Sequence, residues 1–161
     1  MRIDKINYYL DIAETVLERC TCLRRKFGAV IVKNDEIIST GYAGAPRGRK
    51  NCNELGYCAR EKMQIPRGER YEMCRSVHAE QNAIISAARR DLIDSTLYLV
   101  GKEALDNSYV KNANPCILCK RFILNAGIKE VIIRKDKNNY EVIDTKTYID
   151  NDESLDEKFG Y

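Results

Sequence analysis

From Ile3 to Cys20 the apolar positions Ile3, Ile6, Leu10, Ala13, Val16, Leu17 and Cys20 recur at three- and four-residue steps. That spacing predicts an amphipathic helix with one face turned inward. Gly28 then opens the run Ala29-Val30-Ile31-Val32, Asn34-Asp35 marks a turn, and Ile37-Ile38 leads to Thr40, which together predict an antiparallel strand pair. Residues 41–77 show no sustained period and are rich in Gly, Pro, Arg and Cys, the mark of a long functional or metal-pinned loop lying near a site. A helix is predicted over 79–90, through Ala83, Ile84, Ile85, Ala87 and Ala88, followed by a short strand at Leu97-Tyr98-Leu99-Val100. Pro115 stands where the next helix begins, Ile117 to Asn125 continue it, and Gly127 suits its C-terminal cap before a strand at Val131-Ile132-Ile133. Beyond the polar turn 136–139, Tyr140 to Ile149 reads as one or two edge strands, and 150–161 as a polar tail. Helix and strand thus alternate in the back half, which predicts an α/β architecture with a central sheet covered by helices on both faces.

Composition narrows the picture. With 161 residues, 44% hydrophobic and 32% charged, the chain has the size and balance of one globular unit, 1–161, able to bury a core without disulfides. No apolar run approaches membrane-spanning length, and charges interleave from Arg2 to Lys5, so neither a membrane span nor a secretory signal is expected and the location is expected to be cytoplasmic. A net charge of +3 does not argue for a nucleic-acid partner. Seven cysteines in a chain without an export signal point to metal ligation or chemistry rather than disulfides.

The chemistry gathers in two short blocks. The one histidine stands in His78-Ala79-Glu80 at a predicted helix start, and Pro115-Cys116-Ile117-Leu118-Cys119 opens another helix. One imidazole and two thiolates make three zinc ligands, and zinc with three protein ligands keeps its fourth position for water, as catalytic sites do. Two cysteines three apart at a helix start face one point, where the helix dipole favours their deprotonated form. Glu80, two residues from His78, reaches that water without ligating the metal and suits a general acid/base. Alone, a histidine is an ordinary residue and a C-x-x-C a structural knuckle or redox pair; in this order, with Pro115 before the first cysteine, they form the H-x-E…P-C-x-x-C pattern of zinc nucleobase deaminases.

The chain resembles the cytidine deaminase superfamily, and within it the deoxycytidylate (dCMP) deaminase family. The resemblance runs to about Arg134 and is carried by Gly28 to Val32, Gly41-Tyr42-Ala43-Gly44-Ala45-Pro46-Arg47-Gly48, His78 to Ile84, and Pro115 to Cys119 continuing through Ala126 to Val131. It implies a mixed five-stranded sheet flanked by helices, conversion of dCMP to dUMP and ammonia, and a catalytic zinc on His78, Cys116 and Cys119 with Glu80 as proton shuttle. It also implies dCTP and dTTP as effectors, a homo-oligomer (hexamer or dimer), and substrate or effector contacts at Asn82, Ala43, Gly44, Arg47 and Gly48. The family usually has Asn where this chain has Ala43; an Asn there commonly contacts the sugar, and alanine has no group to replace that hydrogen bond.

In some phage-encoded members a second, structural zinc uses cysteines at the positions of Cys22 and Cys52, completed by histidines this chain lacks. Cys58 and Cys74 flank the same loop, so Cys22, Cys52, Cys58 and Cys74 are expected to hold that second zinc, the alternative being buried reduced thiols. Cys20 reads as core. Among the basic residues, Arg47, Arg49 or Lys50 is a candidate for gripping a nucleotide phosphate, beside the simpler reading of a solvated surface. The competing functions are the same chemistry on another nucleotide, a nucleoside or a tRNA base, and a non-catalytic zinc module, against which Glu80 speaks because a structural site has no use for it.

Overall fold

A computed structural model describes residues 1–156. Its centre is one five-stranded sheet built from β1 (Arg25–Lys33), β2 (Glu36–Tyr42), β3 (Thr96–Glu103), β4 (Glu130–Arg134) and β5 (Tyr140–Asp144) in the order β2-β1-β3-β4-β5. Only the β3/β4 pair is parallel, so the sheet is mixed. β1 begins three residues before the predicted Gly28 because Arg25 to Phe27 pair with Gly101 to Glu103. Asn34 and Asp35 both take positive φ (51° and 63°), the two-residue turn whose twist matches a hairpin.

Helices cover both faces, as the alternation of elements predicted. On one face α1 (Lys5–Leu17) packs Tyr9, Leu10, Ala13 and Leu17 against Val30, Tyr98, Val100 and Ile132. On the other lie α4 (Ala79–Ile85), α5 (Arg89–Leu92) and α6 (Ile117–Ala126), with Ala79, Ala83, Leu92, Ile123 and Ala126 against Ala29, Ile31, Leu97, Leu99 and Val131. Two glycines set how closely the faces are covered. A methyl on Gly28 would lie 2.2 Å from Ala13 O, and one on Gly41 2.2 Å from Ala79 O and 2.4 Å from Ala83 N. Only a residue without Cβ admits helix backbone so near the strands.

Two predicted elements differ. The helix expected over 79–90 ends at Ile85, and α5 starts after an extended Ala88. At about 100° per residue an unbroken helix would place Leu92 a half-turn from Ala83; both are buried in the same core, so the chain breaks to turn Leu92 inward. The second edge strand is instead α7 (Lys146–Asp150), which docks on α6 and brings Tyr148 against the core. Of the tail expected at 150–161, residues Glu153–Leu155 form a single 3₁₀ turn whose Glu153 pairs with Lys120 at 3.1 Å, and 157–161 lie outside the described residues. The aperiodic stretch 41–77 holds two four-residue helices, α2 (Cys52–Leu55) and α3 (Ala59–Lys62), and a 3₁₀ turn at Tyr71–Met73. No helix among the described residues is long and apolar enough to cross a membrane.

Candidate active site

The two chemical blocks meet because each caps a helix on the same face of the sheet. His78 is the N-cap of α4 and Cys116 the N-cap of α6, both in extended backbone, while Cys119 lies one turn into α6, fully buried. The His78 N–H donates to the Gln81 carboxamide oxygen at 2.9 Å, which fixes the first turn of α4. Gly41 lets α4 lie against β2, and Asn82 ties it there by donating its amide to Tyr42 O at 2.8 Å and to Val77 O at 3.4 Å.

His78 Nδ1 stands 3.5 Å from Cys116 Sγ and 3.4 Å from Cys119 Sγ. With zinc–nitrogen bonds of about 2.0–2.1 Å and zinc–sulfur bonds of about 2.3 Å, two ligands on a tetrahedral ion are separated by about 3.6 Å. The three side chains therefore fit zinc, and among the described residues they are the one group of His, Cys, Asp and Glu that draws to within 4.8 Å. Glu80 lies just behind, 5% exposed, with Cys119 Sγ 3.5 Å from its Oε2.

The electrostatics follow from burial and these close contacts. The hydrogen bond from Cys119 pulls the Cys116 thiol down to about 4 against burial, with His78 adding to the effect, and Cys119 is correspondingly pushed up as the proton-bearing partner. Burial disfavours charge on His78, yet Cys116, Cys74 and Glu80 push it up to about 11. Burial raises the Glu80 carboxyl above the ordinary carboxylate range. A buried carboxyl beside the triad is suited to accept a proton and hand it on.

A cavity of ≈ 210 Å³ opens over these groups. Its lining includes Phe27, Ala43, Tyr71, Asn112 and Asn114 together with His78, Glu80 and Cys116. Of the predicted nucleotide contacts, Ala43 lines this cavity. Gly44 is buried and bridges to Val77, Asn82 is engaged with backbone carbonyls, and Arg47 and Gly48, with Arg49 and Lys50, are exposed outside the lining. Cys22, Cys58 and Cys74 line one wall of the cavity; Cys52 is buried nearby, and no three of these four thiols lie within 4.8 Å of one another. Cys20 is buried as core.

Sequence reasoning missed Asn112, Asn114 and Tyr71. The asparagines immediately precede Pro115-Cys116, so nearness in the chain to a ligand block was a usable signal. Tyr71, whose ring meets His78 edge-on at 5.7 Å between centroids, carried none.

Fold and site together define an α/β protein with a His-Cys-Cys triad that fits zinc and a buried carboxyl beside it. Residues 3–135 match the cytidine and deoxycytidylate deaminase zinc-binding region, and the chain belongs to that family. It is 35% identical over 140 residues to the deoxycytidylate deaminase of Mycobacterium phage D29, covering 84% of this chain and 98% of the phage protein. It is 33% identical over 134 residues to that of Schizosaccharomyces pombe, where the match covers 82% of this chain but only 37% of the yeast protein. The dCMP deaminase of cyanophage S-TIM5 shares the fold at a TM-score of 0.57 and 26% identity, covering 86% of this chain and 90% of its own.

Proposed function

We propose that this protein hydrolyses the amino group of dCMP to give dUMP and ammonia, as a single deaminase domain working in the cytoplasm. The observation that carries the reading is the convergence of His78, Cys116, Cys119 and Glu80 on one cavity; the phage relatives, matched over nearly their whole length and named for this substrate, support it.

His78, Cys116 and Cys119 would hold zinc, which when bound supplies the Lewis acidity that makes water nucleophilic near neutral pH. Glu80 takes a proton from the attacking water, places it on ring N3, and then serves the departing nitrogen, so that the C4–N bond breaks as C4 gains oxygen and ammonia leaves. Being buried, Glu80 keeps that proton from bulk water between the two transfers. Asn112 and Asn114 offer amide groups in the cavity where Ala43 has only a methyl. dCTP and dTTP as effectors and a homo-oligomeric assembly, hexamer or dimer, are part of the same reading.

A second, structural zinc on Cys22, Cys52, Cys58 and Cys74 belongs to the proposal as well. Its support is the placement of the four cysteines around one stretch of chain, with Cys22, Cys58 and Cys74 lining the same cavity and Cys52 buried nearby, although their sulfurs are not drawn together as those of the His78 triad are. Metal analysis of the protein and of Cys52→Ser tests it: two zinc ions per chain falling to one is expected, and one zinc in both discards the second site.

The test of the main reading is ammonia release from dCMP, dCTP, CMP and deoxycytidine, each with and without dCTP as effector. Turnover confined to dCMP is expected. Zinc-loaded protein inactive on all four would refute it.

A further inference from the structure

Four arginines line the catalytic cavity, and they are not equivalent. Arg24 is paired with Glu61 at 2.9 Å and Arg25 with Glu103 at 3.1 Å. Arg60 is 6% exposed; its Nη2 donates to Pro66 O at 3.1 Å and to Glu69 O at 2.5 Å, and its guanidinium lies 4.6 Å above the Tyr71 ring. The Tyr71 ring in turn abuts His78. Arg60 and Tyr71 thus fix the turn 66–69 at a set place relative to His78. That turn carries Arg67, which is exposed, lines the cavity and has no ion-pair or hydrogen-bond partner among the described residues. Gly68 beside it takes φ 81°, a left-handed backbone that favours glycine.

The lining thus joins His78, Glu80 and Cys116 with one guanidinium that no other group engages among the described residues. A guanidinium with all its donors free matches the oxygens of a phosphate. We propose that Arg67 takes the 5′-phosphate of the substrate, with Arg60 as the positioning residue that holds its turn, so that the loop 59–74 selects nucleotide over nucleoside. This rests on the deaminase reading and moves the phosphate contact away from Arg47, Arg49 and Lys50, none of which lines the cavity.

The test uses the zinc-loaded protein and reads binding of dUMP and deoxyuridine by calorimetry, alongside dCMP turnover. The wild type is expected to bind dUMP more tightly than deoxyuridine, and Arg67→Ala to lose about 10–100-fold of that preference, the worth of one charge-assisted contact. Arg67→Lys should recover part of it, and Arg60→Lys should weaken dUMP more than deoxyuridine, a selectivity that a general loss of stability would not produce. Equal binding of the two ligands by the wild type, or a preference unchanged in Arg67→Ala, overturns the assignment. An Arg67-dependent preference in a protein that does not turn over dCMP would uphold the phosphate contact while refuting the deaminase reading.

Discussion

The two faces of the sheet solve different problems. The α1 face is filled by large side chains and sealed by a charged cluster. Glu14 accepts from Lys102, from Arg134 at 2.8 Å and from Tyr109 at 2.9 Å, and Arg134, 2% exposed, also reaches Asp11 at 2.8 Å. The α4 face has its own core of large side chains, Leu92, Leu97, Leu99 and Ile123 among them, but where α4 meets the strands its fully buried positions are Ala79 and Ala83, against Ala29 and over Gly41, and these small residues let the start of the helix lie close on the sheet. The α1 face is built for cohesion alone; the other adds to its core the close fit of α4 on the strands, which sets His78, Glu80 and Cys116 within reach of each other.

The largest separation of the two should come from Glu80→Gln. Loss of the proton carrier is expected to lower turnover by about 10²–10⁴-fold, with zinc content kept and the thermal midpoint at or above that of the wild type, since a buried ionisable group is removed; near-normal ammonia release would refute the role. Glu14→Ala does the converse, leaving Lys102 without its carboxylate and Arg134 with Asp11 as its remaining ion pair, and is expected to cost about 3 kcal/mol of stability while turnover at low temperature persists. Chemical denaturation measures the first and a steady-state assay the second. Comparable damage to both would mean the faces are not separable.

Gly28→Ala and Gly41→Ala make the comparison directly, because each pushes a methyl into the backbone of the helix on its own face. Both should destabilise by about 1–3 kcal/mol, but only Gly41→Ala displaces the start of α4, so it should cost more turnover and zinc affinity than Gly28→Ala. Equal effects would dissociate the site from the fit of α4.

The smallest expected effect is one of pH. Burial raises the Glu14 carboxyl, but hydrogen bonds from Lys102, Arg134 and Tyr109 outweigh it and hold the group below its ordinary 4.5. A depressed folded value contributes stability that is present above pH 4.5 and is lost as pH falls through the folded value. Denaturation midpoints should therefore drop less steeply below pH 4.5 in Glu14→Gln than in the wild type, and parallel curves would remove Glu14 from the acid response.

Much of this was legible in the chain. The three- and four-residue steps in α1 and α6, the strand runs and the Asn34-Asp35 turn are local patterns, and the residues that fit zinc stand in two short blocks, each with its own spacing. The break at Ile85 was hidden because Ala87 and Ala88 continue a helical period, and only the need to bury Leu92 against the same core as Ala83 interrupts it. Tyr148 likewise reads as a strand residue until α6 gives it a surface on which to pack as part of α7.

The arginines mark the boundary most clearly. By itself the sequence determined the main strands and helices and the two blocks that carry His78 with Glu80 and Cys116 with Cys119, because each of these is a pattern of residues close together in the chain. Which basic side chains face the cavity was decided only by the tertiary structure. The stretch 41–77 has no apolar period to orient it, and its placement depends on contacts such as Arg60 with the carbonyls of Pro66 and Glu69 and Arg24 with Glu61. Those contacts exist only once the strands and α4 have brought distant segments together, so no local pattern could announce that Arg67, and not Arg47, would line the site.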